Sequence, residues 1–222
     1  MKQYNGEKAI ISLTSWKARI NTVAKTLFSL IDKCPGFHIV LVLSEEEFPK
    51  KEDELPENLK IFIDNDLIEV LWVYKNYKSF KKVLFTMDKY RDVPVISADD
   101  DMIYEHNFAD ELYKEWLKRP NSVVANRARS KLSINVSSSG CGVLFPPNCF
   151  KNLWKNFIDN FNFKSSHDDL LYGLMIKKLG LPFFARKDNR CLSYQKAIGN
   201  SLHDMKMYDD EKQYDEYSSY FK

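Results

Sequence analysis

The most informative segment of the sequence is Val93-Pro94-Val95-Ile96-Ser97-Ala98-Asp99-Asp100-Asp101-Met102-Ile103-Tyr104. Its apolar first half predicts a short buried strand, with Pro94 near its start. Three consecutive carboxylates follow, and their mutual repulsion makes it costly to keep all three ionised. Ligands of open α/β sheets bind just beyond the carboxyl ends of strands, so the position favours a binding site. The alternative is a solvated acidic turn.

The spacing of the three acids indicates what they bind. Residues i and i+2 of an extended segment point the same way, so Asp99 and Asp101 are predicted to face one site and Asp100 the opposite side. Two carboxylates on one side suit Mg²⁺ or Mn²⁺, hard ions that keep positions open for phosphate oxygens. The sequence therefore predicts a divalent-metal site at this strand end.

Length and composition indicate one globular domain. The chain has 222 residues, of which 44% are hydrophobic and 29% charged, so it can bury a sizeable core. Its 33 basic and 31 acidic residues nearly balance, which gives no general case for binding nucleic acid. No apolar run approaches the roughly 20 residues needed to span a bilayer, which leaves only contact with a membrane surface open.

The cysteines and the N-terminus predict a cytoplasmic protein. Cys34, Cys141, Cys149 and Cys191 form no C-x-x-C pair and suit no zinc site. The apolar run after the polar N-terminus is too short for a secretory signal. We therefore expect four reduced thiols.

The order of the predicted elements indicates an α/β domain. Apolar runs predict buried strands at residues 9–13, 37–43, 68–74 and 93–98. Helical periodicity lies between them, from residue 17 to 31 and from 79 to 90. Nearly continuous apolar strands that alternate with helices are typical of a parallel sheet covered on both faces.

The second half of the chain is predicted to hold further elements and a second acidic pair. The pattern predicts a helix over 108–117, a strand over 122–125, a mobile loop over 126–139, a strand over 140–147 and the start of a helix over 148–157. Asp168 and Asp169 open another helix, where capping and the helix dipole alone would favour acids. Residues 186–222 form a tail with little periodicity, many charges and several tyrosines.

Five segments together resemble the GT-A glycosyltransferases of bacterial cell-surface polysaccharide synthesis, in particular the family-2-like capsule and O-antigen enzymes. In order, they are residues 11–16, 79–82, 98–101, 142–147 and 167–169. The resemblance covers most of residues 8–180. It implies a single GT-A-type, Rossmann-like domain over 1–185, in which helices flank a mixed sheet. Residues 8–104 would bind the nucleotide sugar, 105–185 would form the acceptor side, and 186–222 would be a tail.

The resemblance implies a nucleotide-sugar donor, usually a UDP-sugar, and Mn²⁺ or Mg²⁺ on the acidic run. Asp99 would lie near the ribose or the metal, Asp101 would bind the metal, and Asp100 would belong to the donor site. Thr14 and Ser15 would line the uracil or ribose pocket.

Four basic residues have weaker assignments from the same resemblance. Arg19 would contact the nucleotide, and Lys81 or Lys82 the diphosphate; for all three the alternative is an ordinary solvated charge. His203 would complete the metal shell, and its alternative is a surface histidine.

Transfer of a sugar to a hydroxyl also needs a base near the acceptor. Acids bound to a metal lose basicity, so a separate carboxylate is expected, and Asp168 or Asp169 is the candidate. The resemblance favours Asp169 and an inverting reaction. It implies transfer of a hexosyl unit to a glycan or lipid-linked oligosaccharide at the cytoplasmic face of a membrane.

Two other functions compete with this one. A sugar-nucleotide nucleotidyltransferase would show a glycine-rich phosphate loop after the first strand, where this chain has Thr14-Ser15-Trp16-Lys17. A non-catalytic glycan-binding or scaffold protein on the same fold would bind no nucleotide in a metal-dependent way. A nuclease is a more distant alternative, since the chain lacks a basic stripe.

Overall fold

The chain alternates strands and helices over most of its length. The structure, a computed structural model, describes residues 3–161, 167–187 and 210–221. The strands are β1 (Ile10–Thr14), β2 (His38–Ser44), β3 (Glu69–Val73), β4 (Val95–Ser97), β5 (Val123–Ala125), β6 (Ala128–Lys131), β7 (Ile134–Ser137), β8 (Val143–Phe145) and β9 (Phe183–Ala185). The helices are α1 (Val23–Lys33), α2 (Glu57–Asp64), α3 (Lys81–Lys89), α4 (Phe108–Leu117), α5 (Asp168–Lys178) and α6 (Asp210–Ser219).

Seven of these strands form one mixed sheet in the order β3-β2-β1-β4-β8-β5-β9. The first four are mutually parallel, β8 runs antiparallel to β4 and β5, and β9 is parallel to β5. The predicted α/β class, with a mixed Rossmann-like sheet flanked by helices, is confirmed.

The sheet separates two hydrophobic cores. Ile10 and Val40 pack in the core that also contains residues of α3, α5 and α6. Their neighbours Ile11 and Leu41 pack in the other core, with residues of α1, α2 and α4. Successive strand residues point to opposite faces, so both faces need apolar side chains, and the strands read as continuous apolar runs.

Residues 126–139 differ from the predicted mobile loop. They contain the hairpin of β6 and β7, in which Ala128 pairs with Ser137. Ile134 and Val136 are buried in the core beside α5. The alternation of these two apolar residues with polar neighbours is a strand signal that the surrounding serines and arginines obscured.

Two further elements depart from the prediction. The strand expected over 140–147 is only β8, because Ser139–Cys141 form a 3-10 turn and Gly142 has φ +94°. The helix expected to begin over 148–157 is replaced by short 3-10 turns, since Asn148 and Lys151 have positive φ. β9 was not predicted.

The cysteines are only partly as expected. Cys34 and Cys149 are buried free thiols. Cys141 is disulfide-bonded, so the prediction of reduced thiols is wrong for this residue. Spacing along the chain could not show this, because disulfide pairing depends on distances in the folded structure. Cys191 lies outside the described residues.

The predicted tail contains α6, which packs on α5. Tyr217 is fully buried in the core beside Phe80 and Phe161. No helix in the described ranges has the length and apolar character needed to cross a bilayer. Tail contacts with a membrane or a second subunit stay predictions.

Candidate active site

The acidic run lies where β4 ends, at the carboxyl edge of the parallel strands. β4 stops at Ser97, and Asp100 and Asp101 lie in a turn. The strand alternation therefore does not continue through the run. Asp99 and Asp100 have different partners, Lys82 and Arg19, but Asp101 contacts the same arginine as Asp100.

That arginine is Arg19, which lies between β1 and α1. Its Nη2 is 2.5 Å from Oδ1 of Asp100 and 2.9 Å from Oδ2 of Asp101. Ser15 Oγ donates to Asp100 Oδ2 at 2.5 Å. Burial raises the pKa of Asp100 to about 6, against the opposing effects of Arg19 and Ser15. Arg19 is therefore a structural partner of the acidic run and not a solvated charge.

Lys82, on the first turn of α3, joins the two predicted acidic groups. Its Nζ lies 2.5 Å from Oδ1 of Asp99 and 3.0 Å from Oδ2 of Asp168, and its side chain is 3% exposed. Burial alone would lower the pKa of Lys82, but the two carboxylates outweigh burial and raise it. The ammonium is thus a buried cation between β4 and α5.

Asp169 occupies a different environment from Asp168. Its Oδ1 accepts a hydrogen bond from the Ser139 N–H at 3.0 Å and a second from Ser139 Oγ. Burial and the neighbouring Asp168 charge raise the pKa of Asp169 to about 7. A carboxylate with this pKa can accept a proton near neutral pH.

The turn 139–141 brings Ser139 and Gly140 to this edge. β8 is antiparallel to β4 and Val143 pairs with Ser97, so the residues before β8 lie beside the residues after β4. A Cβ on Gly140 would lie 2.5 Å from Oδ2 of Asp99. Sequence reasoning missed Ser139, and at Gly140 the close approach to the backbone is made by Asp99.

The helix that carries the acidic pair begins at His167. Its Nδ1 accepts from the Leu170 N–H at 3.2 Å, so histidine, and not an acid, caps α5. Asp168 and Asp169 therefore do not cap the helix. The Asp168 side chain contacts Lys82, and the Asp169 side chain contacts Ser139.

Two other predicted donor residues donate to backbone carbonyls. Thr14 Oγ1 donates to the Val42 carbonyl at 2.7 Å. Lys81 is buried, its Nζ donates to the Lys78 carbonyl at 3.0 Å, and burial lowers its pKa to about 8. Lys81 and Lys82 are both buried, so neither is an ordinary solvated charge. The donor-binding roles of Thr14, Ser15, Lys81 and Lys82 stay predictions, and His203 lies outside the described residues.

The acidic run fits a divalent cation shared with a ligand. The side chains of Asp99 and Asp101 are 39% and 28% exposed, and their ion pairs use Oδ1 of Asp99 and Oδ2 of Asp101. Within the described ranges, no cluster of three or more His, Cys, Asp or Glu side chains could hold a metal. Mg²⁺ is typically held by one or two carboxylates together with water and substrate phosphates, which matches this donor set.

Comparison with solved structures identifies the fold. The chain is similar to a mannosyltransferase from Pyrobaculum calidifontis, solved with GDP-Man and Mn²⁺, with a TM-score of 0.59 and 11% identity over 87% of this chain. It is also similar to the glycosyltransferase GlyE of Streptococcus pneumoniae, with a TM-score of 0.51 and 15% identity over 82% of this chain. The chain has a glycosyltransferase fold.

The same comparisons set the extent of the match. This glycosyltransferase fold spans 58% of the mannosyltransferase chain and 46% of the GlyE chain. No protein-family model and no curated protein sequence matches the chain.

Proposed function

We propose that this protein transfers a hexosyl unit from a nucleotide sugar to a hydroxyl of a glycan, with the help of a divalent metal. The observation that carries the proposal is the pairing of two separate acidic groups at one sheet edge. Asp99, Asp100 and Asp101 follow β4, while Asp168 and Asp169 open α5, and Lys82 pairs with both Asp99 and Asp168. The glycosyltransferase fold of the chain supports the same conclusion.

Asp169 is the proposed general base. Its pKa of about 7 lets it exist as a carboxylate at neutral pH and still bind a proton strongly. It would take the proton of the acceptor hydroxyl as that oxygen attacks the anomeric carbon. Ser139 fixes Oδ1 of Asp169, so the other oxygen, Oδ2, is proposed to receive the proton.

We propose that the acidic run binds the diphosphate of the donor through a divalent cation. A divalent cation bound there would neutralise the charge on the departing diphosphate. Arg19 holds Asp100 and Asp101 in place, and Asp100 is buried against Ser15, so Asp99 and Asp101 are left as the proposed metal ligands. The bond to the diphosphate breaks as the bond to the acceptor oxygen forms, which inverts the anomeric centre.

The finer assignments belong to the same proposal. We expect UDP as the nucleotide, and we include GDP because the similar mannosyltransferase was solved with GDP-Man. The acceptor is proposed to be a surface glycan or lipid-linked oligosaccharide, reached at the cytoplasmic face of a membrane.

Hydrolysis of a panel of UDP-sugars and GDP-mannose, in Mn²⁺ and in EDTA, tests the proposal. We expect metal-dependent release of nucleoside diphosphate from one donor. Asp101→Ala should abolish it, and Asp169→Asn should lower it by roughly 100-fold or more, as expected for loss of a general base. Asp88→Asn is the matched control, because Asp88 pairs with Lys155 and Arg91 on the surface.

Other outcomes would identify the competing functions. Pyrophosphate release from a sugar phosphate and a nucleoside triphosphate would indicate a nucleotidyltransferase. A glycan-binding or scaffold protein would turn over no donor and would bind UDP and GDP equally weakly with and without Mn²⁺.

A further inference from the structure

Lys82 is held more firmly than a surface lysine. Its backbone carbonyl accepts from Ser12 Oγ at 2.5 Å, and Ser12 is fully buried in β1. Its side chain is 3% exposed, and its Nζ is within 3.0 Å of two carboxylates. The position of the ammonium is therefore set by the core of the sheet.

The two partners of Lys82 come from different parts of the chain. Asp99 follows β4 on the proposed donor side, and Asp168 opens α5 beside the proposed base Asp169. Removing Lys82 would leave the Asp168 carboxylate, whose side chain is only 12% exposed, without its cation, which is strongly unfavourable. The ammonium thus connects the donor-side strand and the acceptor-side helix.

The same ammonium lies at a proposed metal ligand. The Lys82 ammonium is 2.5 Å from Oδ1 of Asp99, so a divalent ion bound to Asp99 would lie close to it. Two positive charges this close repel strongly where little water screens them. Lys82 and the metal must therefore compete for the charge of Asp99.

We propose that Lys82 is an internal counter-cation that bridges Asp99 and Asp168 and weakens binding of a divalent metal until a nucleoside diphosphate adds negative charge. Lys82 then positions Asp99 and Asp168, and it does not contact the diphosphate as the family resemblance implied. The proposal rests on the proposed function, because that function supplies the metal and the diphosphate. The affinity of the site for the metal would then depend on whether the donor is bound.

Titration of the protein with Mn²⁺ alone, followed by electron paramagnetic resonance at pH 8, tests the competition. We expect Lys82→Met to bind Mn²⁺ roughly tenfold or more tightly than the wild type, because the repelling charge is gone. Lys82→Arg keeps the charge and should behave like the wild type. Lys89→Met is the matched control on the same helix, since Lys89 pairs with Glu69 at the start of β3.

A second measurement tests the bridge without metal. In EDTA, urea unfolding should show that Lys82→Met and Asp168→Asn each lower the midpoint. The double variant should lose less than the sum of the two, as residues in one ion pair do. In the double variant, Asp168→Asn removes the carboxylate that Lys82→Met leaves without its cation. The double variant therefore provides a second protein for the Mn²⁺ titration if Lys82→Met does not fold.

The outcomes separate this inference from the proposed function. Mn²⁺ binding by folded Lys82→Met that is equal to or weaker than that of the wild type, or no binding by any variant, overturns the competition. Additive losses in EDTA overturn the bridge. If UDP affinity alone falls in Lys82→Met, the lysine is a diphosphate contact and the inference is wrong. Failure to turn over any nucleotide sugar would overturn the proposed function and leave the Mn²⁺ result standing.

Discussion

As the proposed general base, Asp169 should make donor hydrolysis depend on pH. Burial and the Asp168 charge raise its pKa to about 7, and a base works only in its ionised form. We therefore expect kcat/KM for donor hydrolysis to fall as the pH drops below about 7, with a tenfold loss per pH unit in the acid limb. A pH profile of the wild type measures this directly, and a flat profile between pH 5 and 8 would contradict it.

Ser139 tests whether that limb belongs to Asp169. Two hydrogen bonds from Ser139 stabilise the ionised carboxylate, so Ser139→Ala, which loses one of them, should raise the pKa of Asp169. The acid limb of the profile would then move to higher pH. Ser130→Ala, at an exposed position of β6, is the control and should leave the limb in place. A lower maximum rate with no movement of the limb would mean that Ser139 has only a structural role.

At the scale of elements, the hairpin of β6 and β7 depends on a glycine in α5. A Cβ on Gly173 would lie 2.6 Å from the Asn135 carbonyl oxygen in β7. Gly173→Ala gains helix propensity, worth about 1 kcal/mol. The steric clash, costing about 1–3 kcal/mol, should exceed that gain because its partner is backbone.

Chemical unfolding measures the result for the helix and the hairpin together. We expect a net destabilisation of Gly173→Ala, and any stabilisation would show that β7 can move away from α5. Lys177→Ala, at an exposed position of the same helix, is the control and should change stability little.

At the scale of the whole molecule, the last helix is part of the core. Tyr217 is fully buried among Phe80 and Phe161, and Lys178 Nζ donates to the Phe221 carbonyl at 2.5 Å. Tyr217→Ala should lower the free energy of unfolding by about 3–5 kcal/mol, the usual cost of removing a buried ring. Tyr214→Ala, at a half-buried position of α6, should lose less in the same urea titration. A small loss for Tyr217→Ala, no greater than that for Tyr214→Ala, would show that α6 contributes little to the core.

Much of the fold was predictable because its signals are local. The apolar runs of β1 to β4 and the helical periods between them reflect side chains that must face a core. The acidic run after β4 was predictable for the same reason, since the strand before it has a clear end. β9 was missed because Phe183–Ala185 are three residues with no period to detect.

The local pattern of residues was enough to predict strands β1 to β4, helices α1 and α3 and the acids at the end of β4, since each depends on neighbours along the chain. Only the tertiary structure decided which charges meet. Lys82 reaches an acid 17 positions away, and Ser139 reaches one 30 positions away. Such contacts depend on strand order and on the antiparallel direction of β8, which no local pattern encodes. Buried charges pair with whichever opposite charges lie close to them in space, whereas periodicity shows only which face of a helix or strand is buried.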